Sequence, residues 1–139
     1  MNDKEVSMQI DFSKREGRVP VTIMHLSGDL DASNYTEVIA QAQAVFSEGT
    51  RDLLIDMSRV PYVSSAGLMS LHAVVLIFAG ISREGGSSSR AINIERDGAV
   101  RQHVKLINPQ AAVDQVLEVV GLKQFFEVHT DLETAIMSF

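Results

Sequence analysis

Cysteine is absent from the 139 residues. That removes disulfides, thiol nucleophiles and thiolate zinc sites together, and it is compatible with a cytoplasmic location. Cations are scarce beside anions: 12 Lys and Arg stand against 18 Asp and Glu, for a net charge of −6. Phosphate backbones and anionic lipid surfaces both demand clustered cations, so neither nucleic acid nor a membrane surface is an expected partner. No signal-peptide core opens the chain, because Asp3, Lys4, Glu5 and Asp11 interrupt its first residues. The longest nearly apolar run, Leu68–Ile81, has 14 residues, short of the ~20 that cross a bilayer. Membrane insertion is therefore not expected. Phosphate cradles of the G-x-x-x-x-G-K-S/T and G-x-G-x-x-G types are missing, as is the G-x-S-x-G nucleophile elbow. His25, His72, His103 and His129 form no H-x-x-x-H or H-E-x-x-H pair, and each reads as structural or surface. No metal, no cofactor and no assembled catalytic set is expected, so the chain reads as a non-enzyme.

What is present is an alternation of strand and helix patterns. Val6, Met8, Ile10 and Phe12 alternate with polar residues, which predicts a half-buried strand. Lys14-Arg15-Glu16-Gly17 supplies a turn, with Gly17 free to take positive φ. Val19–Leu26 then pairs back as an antiparallel hairpin. A helix follows near Asn34, where Asn34 and Glu37 stand at capping-box spacing and Ser33 is an alternative cap. Gly49 ends it. Arg51–Met57 reads as a central strand, apolar on both faces. A helix from Ser64 or Ser65 to about Ala79 comes next. Residues from Ser82 to about Arg101 are Gly/Ser-rich and polar, the composition of a flexible insertion, with Ala91–Ile94 as a weak strand. His103–Ile107 returns to strand. Asn108 as cap and Pro109 at the first helical position start a helix whose stripe is Ala112, Val113, Val116, Leu117 and Val120. Gln124–Val128 reads as the last strand and Asp131–Met137 as a closing helix. The order β-β-α-β-α-β-α-β-α predicts an α/β fold with a mixed, mostly parallel sheet of about five strands and about four helices.

Tyr62-Val63-Ser64-Ser65-Ala66-Gly67-Leu68 carries the most chemistry. Ser64 is placed to cap the helix, accepting from the amide of Ala66 or Gly67. Ser65 then takes the first helical position, beside unpaired amides and the positive end of the dipole. Ala66 and Gly67 lack bulk and let another backbone approach. Alternatively the two serines only cap, and Gly67 only packs against the sheet. Along the same helix, Leu68, Leu71, Val75 and Phe78 suit a sheet, and Met69, Ala73, Leu76, Ile77 and Gly80 form a second stripe. That second stripe is either covered by the chain itself or binds a partner, including a second copy through Leu68–Ala79. Asp29 and Asp31 form a carboxylate pair at a strand end, read as a solvated terminus or a helix cap rather than a cation site.

Three stretches in this order, Ser27-Gly28-Asp29-Leu30-Asp31, Leu53-Leu54-Ile55-Asp56-Met57-Ser58 and Tyr62–Leu68, resemble the STAS family, the bacterial anti-sigma-factor antagonists or anti-anti-sigma factors. The resemblance runs from about Val6 to Met137 and implies a single STAS-like domain over residues 1–139. In that family the unmodified antagonist binds an anti-sigma factor, often a serine kinase, and a sigma factor is released for transcription. The kinase then phosphorylates a serine at the helix start and the pair separates. The family motif often reads Asp-Ser-Ser/Thr-Gly-Leu, with the first hydroxyl residue after Asp modified. Carried over, the acceptor is Ser65, with Ser64 as the alternative. Ser64 stands where the motif often has Asp, Ala66 replaces the second hydroxyl, and Met69 sits where many relatives have a polar or basic residue. Asp29 matches an acidic residue on the same surface. The resemblance implies partner contacts by Asp29, Asp31, Ser64, Ala66, Gly67, Met69 and Ala73. The family also includes unphosphorylated interaction modules in signalling scaffolds and transport complexes.

Overall fold

A computed structural model describes residues 8–80 and 99–139. Strands β1 (Gln9–Glu16) and β2 (Pro20–Ser27) form the expected antiparallel hairpin, pairing Gln9 with Ser27 and Glu16 with Pro20. The chain then alternates through α1 (Tyr35–Ser47), β3 (Leu53–Arg59), α2 (Ser65–Phe78), β4 (Val104–Ile107), α3 (Ala111–Val119), β5 (Glu127–His129) and α4 (Leu132–Met137). Short 3-10 turns occupy Ala99–Gln102 and Leu122–Phe125. The sheet order is β1-β2-β3-β4-β5, parallel from β2 onward. This is the expected α/β architecture of five strands and four helices, counted among the described residues.

Strand alternation divides the sheet into two faces. Met24, Leu26, Leu53, Ile55, Met57, Val104 and Leu106 turn one way and join Val38, Leu71, Val75, Val113 and Leu117 in the main core. Phe46 of α1 meets Phe78 of α2 edge-on, with ring centres 5.1 Å apart, a favourable aromatic geometry. Val21, Ile23, Leu54 and Ile107 turn the other way, against Ala135 and Ile136 of α4. Among the described residues, a helix of six residues packs on part of that face.

Several local expectations are corrected. Lys14, Arg15 and Glu16 belong to β1, because they pair with Thr22, Val21 and Pro20, and Arg15 also donates to Glu133 at 2.7 Å. Gly17 follows with no positive φ. Its small size is what counts, since a Cβ there would stand 2.7 Å from the Ile136 carbonyl oxygen. Asn108 does not cap a helix. It takes φ of 55°, donates its N–H to the His129 carbonyl, and α3 starts after Gln110, whose side chain donates to the Ser58 carbonyl instead. Along α3 only Val113 and Leu117 of the expected stripe are buried, and Ala112, Val116 and Val120 are exposed. The expected strand over Gln124–Val128 gives way to the 3-10 turn and a shorter β5, because Phe125 and Phe126 turn into the core. Ile77 is also core, which takes it out of the outward stripe of α2. The Val6 end of the first strand, the Ala91–Ile94 strand and residues 82–98 of the Gly/Ser-rich stretch lie outside the described residues. Ala99–Arg101 falls in the first 3-10 turn.

Candidate functional site

The site is built where two strand-to-helix loops meet above the parallel strands. One loop leaves β2 and the other leaves β3. Leu30 and Val63 form an isolated parallel bridge; Leu30 N–H donates to the Tyr62 carbonyl and Ser64 N–H to the Leu30 carbonyl, each at 2.9 Å. Leu30 and Val63 are buried while their neighbours Asp29 and Tyr62 are exposed. Alternation within each loop thus anchors one residue and presents the next.

Asn34 occupies the N-cap of α1, yet its side chain makes no cap bond. Its Nδ2 donates to the Asp29 carbonyl at 2.8 Å, and its Oδ1 accepts from Asp31 N–H at 2.9 Å. The capping box expected with Glu37 is therefore replaced by a latch on the Asp29–Asp31 turn. Asp31 Oδ1 in turn accepts from the Ser33 hydroxyl and the Ser33 N–H, which hold its carboxyl below the usual aspartate value. At neutral pH this corner carries negative charge beside the start of α2.

Ser64 is extended and caps α2, its Oγ accepting from Gly67 N–H at 3.2 Å. Ser65 is the first residue of the helix and is exposed. Its neighbours Ser64 and Ala66 are half-buried. Gly67 is buried, and its lack of a side chain is used inward: a Cβ would lie 2.5 Å from the Leu30 carbonyl oxygen and 2.8 Å from Val63 Cγ1. Gly67 thus brings α2 hard against the β2 loop and does not face outward. Ser70, buried one turn on, donates to the Gly67 carbonyl at 2.7 Å. Met69 is 61% exposed and Ala73 half-buried. They line an apolar groove of about 320 Å³ with Leu68, His72 and Leu76, closed on the far side by Val120 and Leu122. Among the described residues no group of three or more His, Asp and Glu is placed to hold a metal ion.

The profile of the family described as "Mlab, STAS domain" matches residues 14–84, just over half of the chain. The chain belongs to the STAS domain family. A curated Bordetella bronchiseptica protein, BtrV, named as a candidate anti-sigma factor antagonist, is 26% identical over 132 residues, covering 95% of each chain. An anti-sigma factor antagonist from Mycobacterium paratuberculosis superposes with a TM-score of 0.68 at 20% identity, over 95% of this chain and 93% of that one. The anti-sigma factor antagonist SpoIIAA superposes in its unphosphorylated form with a TM-score of 0.57 at 19% identity, over 94% of both chains. Its phosphorylated form from Bacillus superposes with a TM-score of 0.54 at 18% identity, over 92% of this chain and 96% of that one. The likeness to the solved structures is one of fold.

Within this STAS domain, Asp29, Asp31, Ser64, Ser65 and Ala66 come together through the paired loops, and Met69 and Ala73 continue the surface along α2. Two features escape a reading of the sequence. Asn34 holds the acidic turn, although its position suggests only a cap. Val120 and Leu122 complete the groove from the end of α3 and the 3-10 turn after it, more than 40 residues further on, and no local pattern links them to α2. No helix among the described residues is long and apolar enough to cross a membrane.

Proposed function

We propose that this STAS domain is an anti-sigma factor antagonist. Its unmodified form docks on an anti-sigma factor of the serine-kinase type, releases a sigma factor, and is switched off by phosphorylation of Ser65. The observation that carries this reading is the division of labour between two adjacent hydroxyls. Ser64 spends its oxygen on the helix cap, while Ser65 stands exposed at the first helical position. The names of BtrV and of the structural relatives support the same class of partner.

The switch follows from electrostatics. A phosphate adds about −1.5 to −2 charges at pH 7. At a helix N-terminus that charge is tolerated by the fold, with about 0.3–1 kcal/mol in its favour. A docked partner instead meets a dianion beside the Asp29–Asp31 turn, and desolvating an unpaired ion costs several kcal/mol. Each 1.4 kcal/mol is about tenfold in affinity. Binding is lost while the domain stays folded.

The test is to incubate the chain with ATP and an anti-sigma factor of the serine-kinase type that binds it, then map the phosphate. Phosphate on Ser65, abolished by Ser65→Ala with partner binding retained, is the expected result. Phosphate on another residue, or none from a kinase active on a control substrate, overturns the switch. A second reading, an unphosphorylated interaction module in a scaffold or transport complex, draws on the apolar groove along α2 and on Ser64 in place of an acid. It predicts recovery of transporter components and no anti-sigma factor with the purified chain.

A further inference from the structure

A hydrogen-bonded Ser–His–Asp chain crosses three neighbouring strands on the sheet face opposite α1 and α2. His25 of β2 stands directly across from Asp56 of β3, and Ser13 of β1, paired with Ile23, is its diagonal neighbour. Ser13 Oγ lies 2.8 Å from His25 Nε2, and His25 Nδ1 lies 2.9 Å from Asp56 Oδ2. The other Asp56 oxygen accepts from Ser58 N–H at 3.0 Å and from the Ser58 hydroxyl at 2.8 Å. Both carboxylate oxygens are thereby held. The strand register shifts immediately after His25, the kind of irregularity that re-aims a side chain.

The proton positions follow from donor chemistry. Burial works to raise the Asp56 carboxyl, but the Ser58 N–H and hydroxyl and His25 together hold it below its ordinary value. Asp56 is then a carboxylate, which only accepts. The proton shared with Asp56 therefore sits on His25 Nδ1, and in the neutral form of the ring Nε2 is bare and accepts from the Ser13 hydroxyl. These are the relations by which an oriented imidazole activates a serine. Ser13 is exposed and His25 half-buried, so a small molecule reaches both.

We propose that Ser13 is an activated nucleophile that accepts an acyl group from activated acyl esters. Ser13 Oγ bonds to the acyl carbon as the carbon–leaving-group bond breaks. The hydroxyl proton passes to His25 Nε2 and from there to the departing alkoxide or phenoxide. Asp56 is a positioning residue that fixes the ring and its tautomer. The reach of this chemistry is set by what the face lacks. Among the described residues, strand N–H groups of β1 lie in the plane of the sheet, paired with β2 or directed off the outer edge of β1. None is aimed at an oxyanion above Ser13. Only donors with good leaving groups react, and the acyl group stays on the protein as a stoichiometric modification.

Treating the full chain with p-nitrophenyl acetate tests this. One acetyl group on Ser13 and about one equivalent of nitrophenolate are expected, at a rate about 10²-fold above that of other exposed serines such as Ser33 and Ser47. That comparison is internal to the parent chain and needs no variant. His25→Gln, folded by circular dichroism, acetylates Ser13 at the background rate. Asp56→Asn moves the proton to Nε2, which nitrogen-15 shifts of the His25 ring report directly. Acetyl groups spread over lysines with none on Ser13, or equal Ser13 rates in the parent and in His25→Gln, overturn the proposal.

Discussion

Replacing Gly67 by alanine carries an unusual sign. In an ordinary helix interior, Gly→Ala stabilises by about 0.8–1 kcal/mol, and by less in the first turn. Here the added Cβ would stand 2.5 Å from the Leu30 carbonyl oxygen, 2.8 Å from Val63 Cγ1 and 2.9 Å from Leu30 Cγ. The nearest atom is backbone, so no rotamer change relieves it. Overpacking of this kind costs about 1–3 kcal/mol. The Leu30 carbonyl also accepts from Ser64 N–H, and moving it forfeits about 1 kcal/mol more. The losses, about 2–4 kcal/mol, exceed the helix gain, which leaves a net loss of about 1–3 kcal/mol. Urea unfolding reads this directly: with an m-value of about 1–3 kcal/mol/M, the midpoint falls by roughly 1 M. The same shift moves the start of α2 away from the Asp29 turn, so the proposed docking on an anti-sigma factor is expected to weaken along with stability. A Gly67→Ala chain as stable as the parent, or more so, would refute the close-approach argument. It would also return Gly67 to the status of a tolerated helix glycine.

Ser64→Ala removes the side-chain cap at the start of α2 and is expected to cost about 0.5–2 kcal/mol, measured by thermal melting, while the proposed phosphorylation of Ser65 is retained. Ser65→Glu places a charge at the positive end of the helix and is expected to leave the melting temperature unchanged or slightly raised, while calorimetry finds partner binding lost. On the opposite face, buried Lys105 donates to Glu127 at 2.9 Å and to the Ser138 carbonyl and hydroxyl. The Lys105 bond, with His129 assisting against burial, holds the Glu127 carboxyl below its ordinary value of 4.5. A carboxyl depressed in the folded state stabilises above its unfolded value, and that contribution is lost as pH falls through the folded one. The parent is therefore expected to lose stability below about pH 4.5 more steeply than Glu127→Gln, by denaturant titration at stepped pH.

Local signals were legible wherever a short stretch carries its own geometry. The apolar spacing of Val38 and Ala42, the serine pair before Gly67, and the Asp131–Met137 stretch all marked elements that formed, the last starting one residue later because Asp131 is its cap. Asp131 accepts from Thr134 N–H as a cap should. Signals failed where a residue had two uses. Asn108 satisfies both cap and left-handed turn chemistry, and the His129 carbonyl on the neighbouring strand chose the turn. Asn34 satisfies both cap and latch, and the backbone of the Asp29–Asp31 turn chose the latch.

The sequence alone determined the element order, the absence of cysteine chemistry, and a hydroxyl at the start of the second helix. These depend on neighbours within a few residues, and the chain specifies such neighbours directly. Only the tertiary structure decided that Gly67 seats α2 against Leu30, that Val120 and Leu122 close a groove with Met69, and that Ser13, His25 and Asp56 touch. Those contacts depend on which strands pair and in what register. A shift of one residue turns each side chain to the other face of the sheet, so no local pattern carries that information.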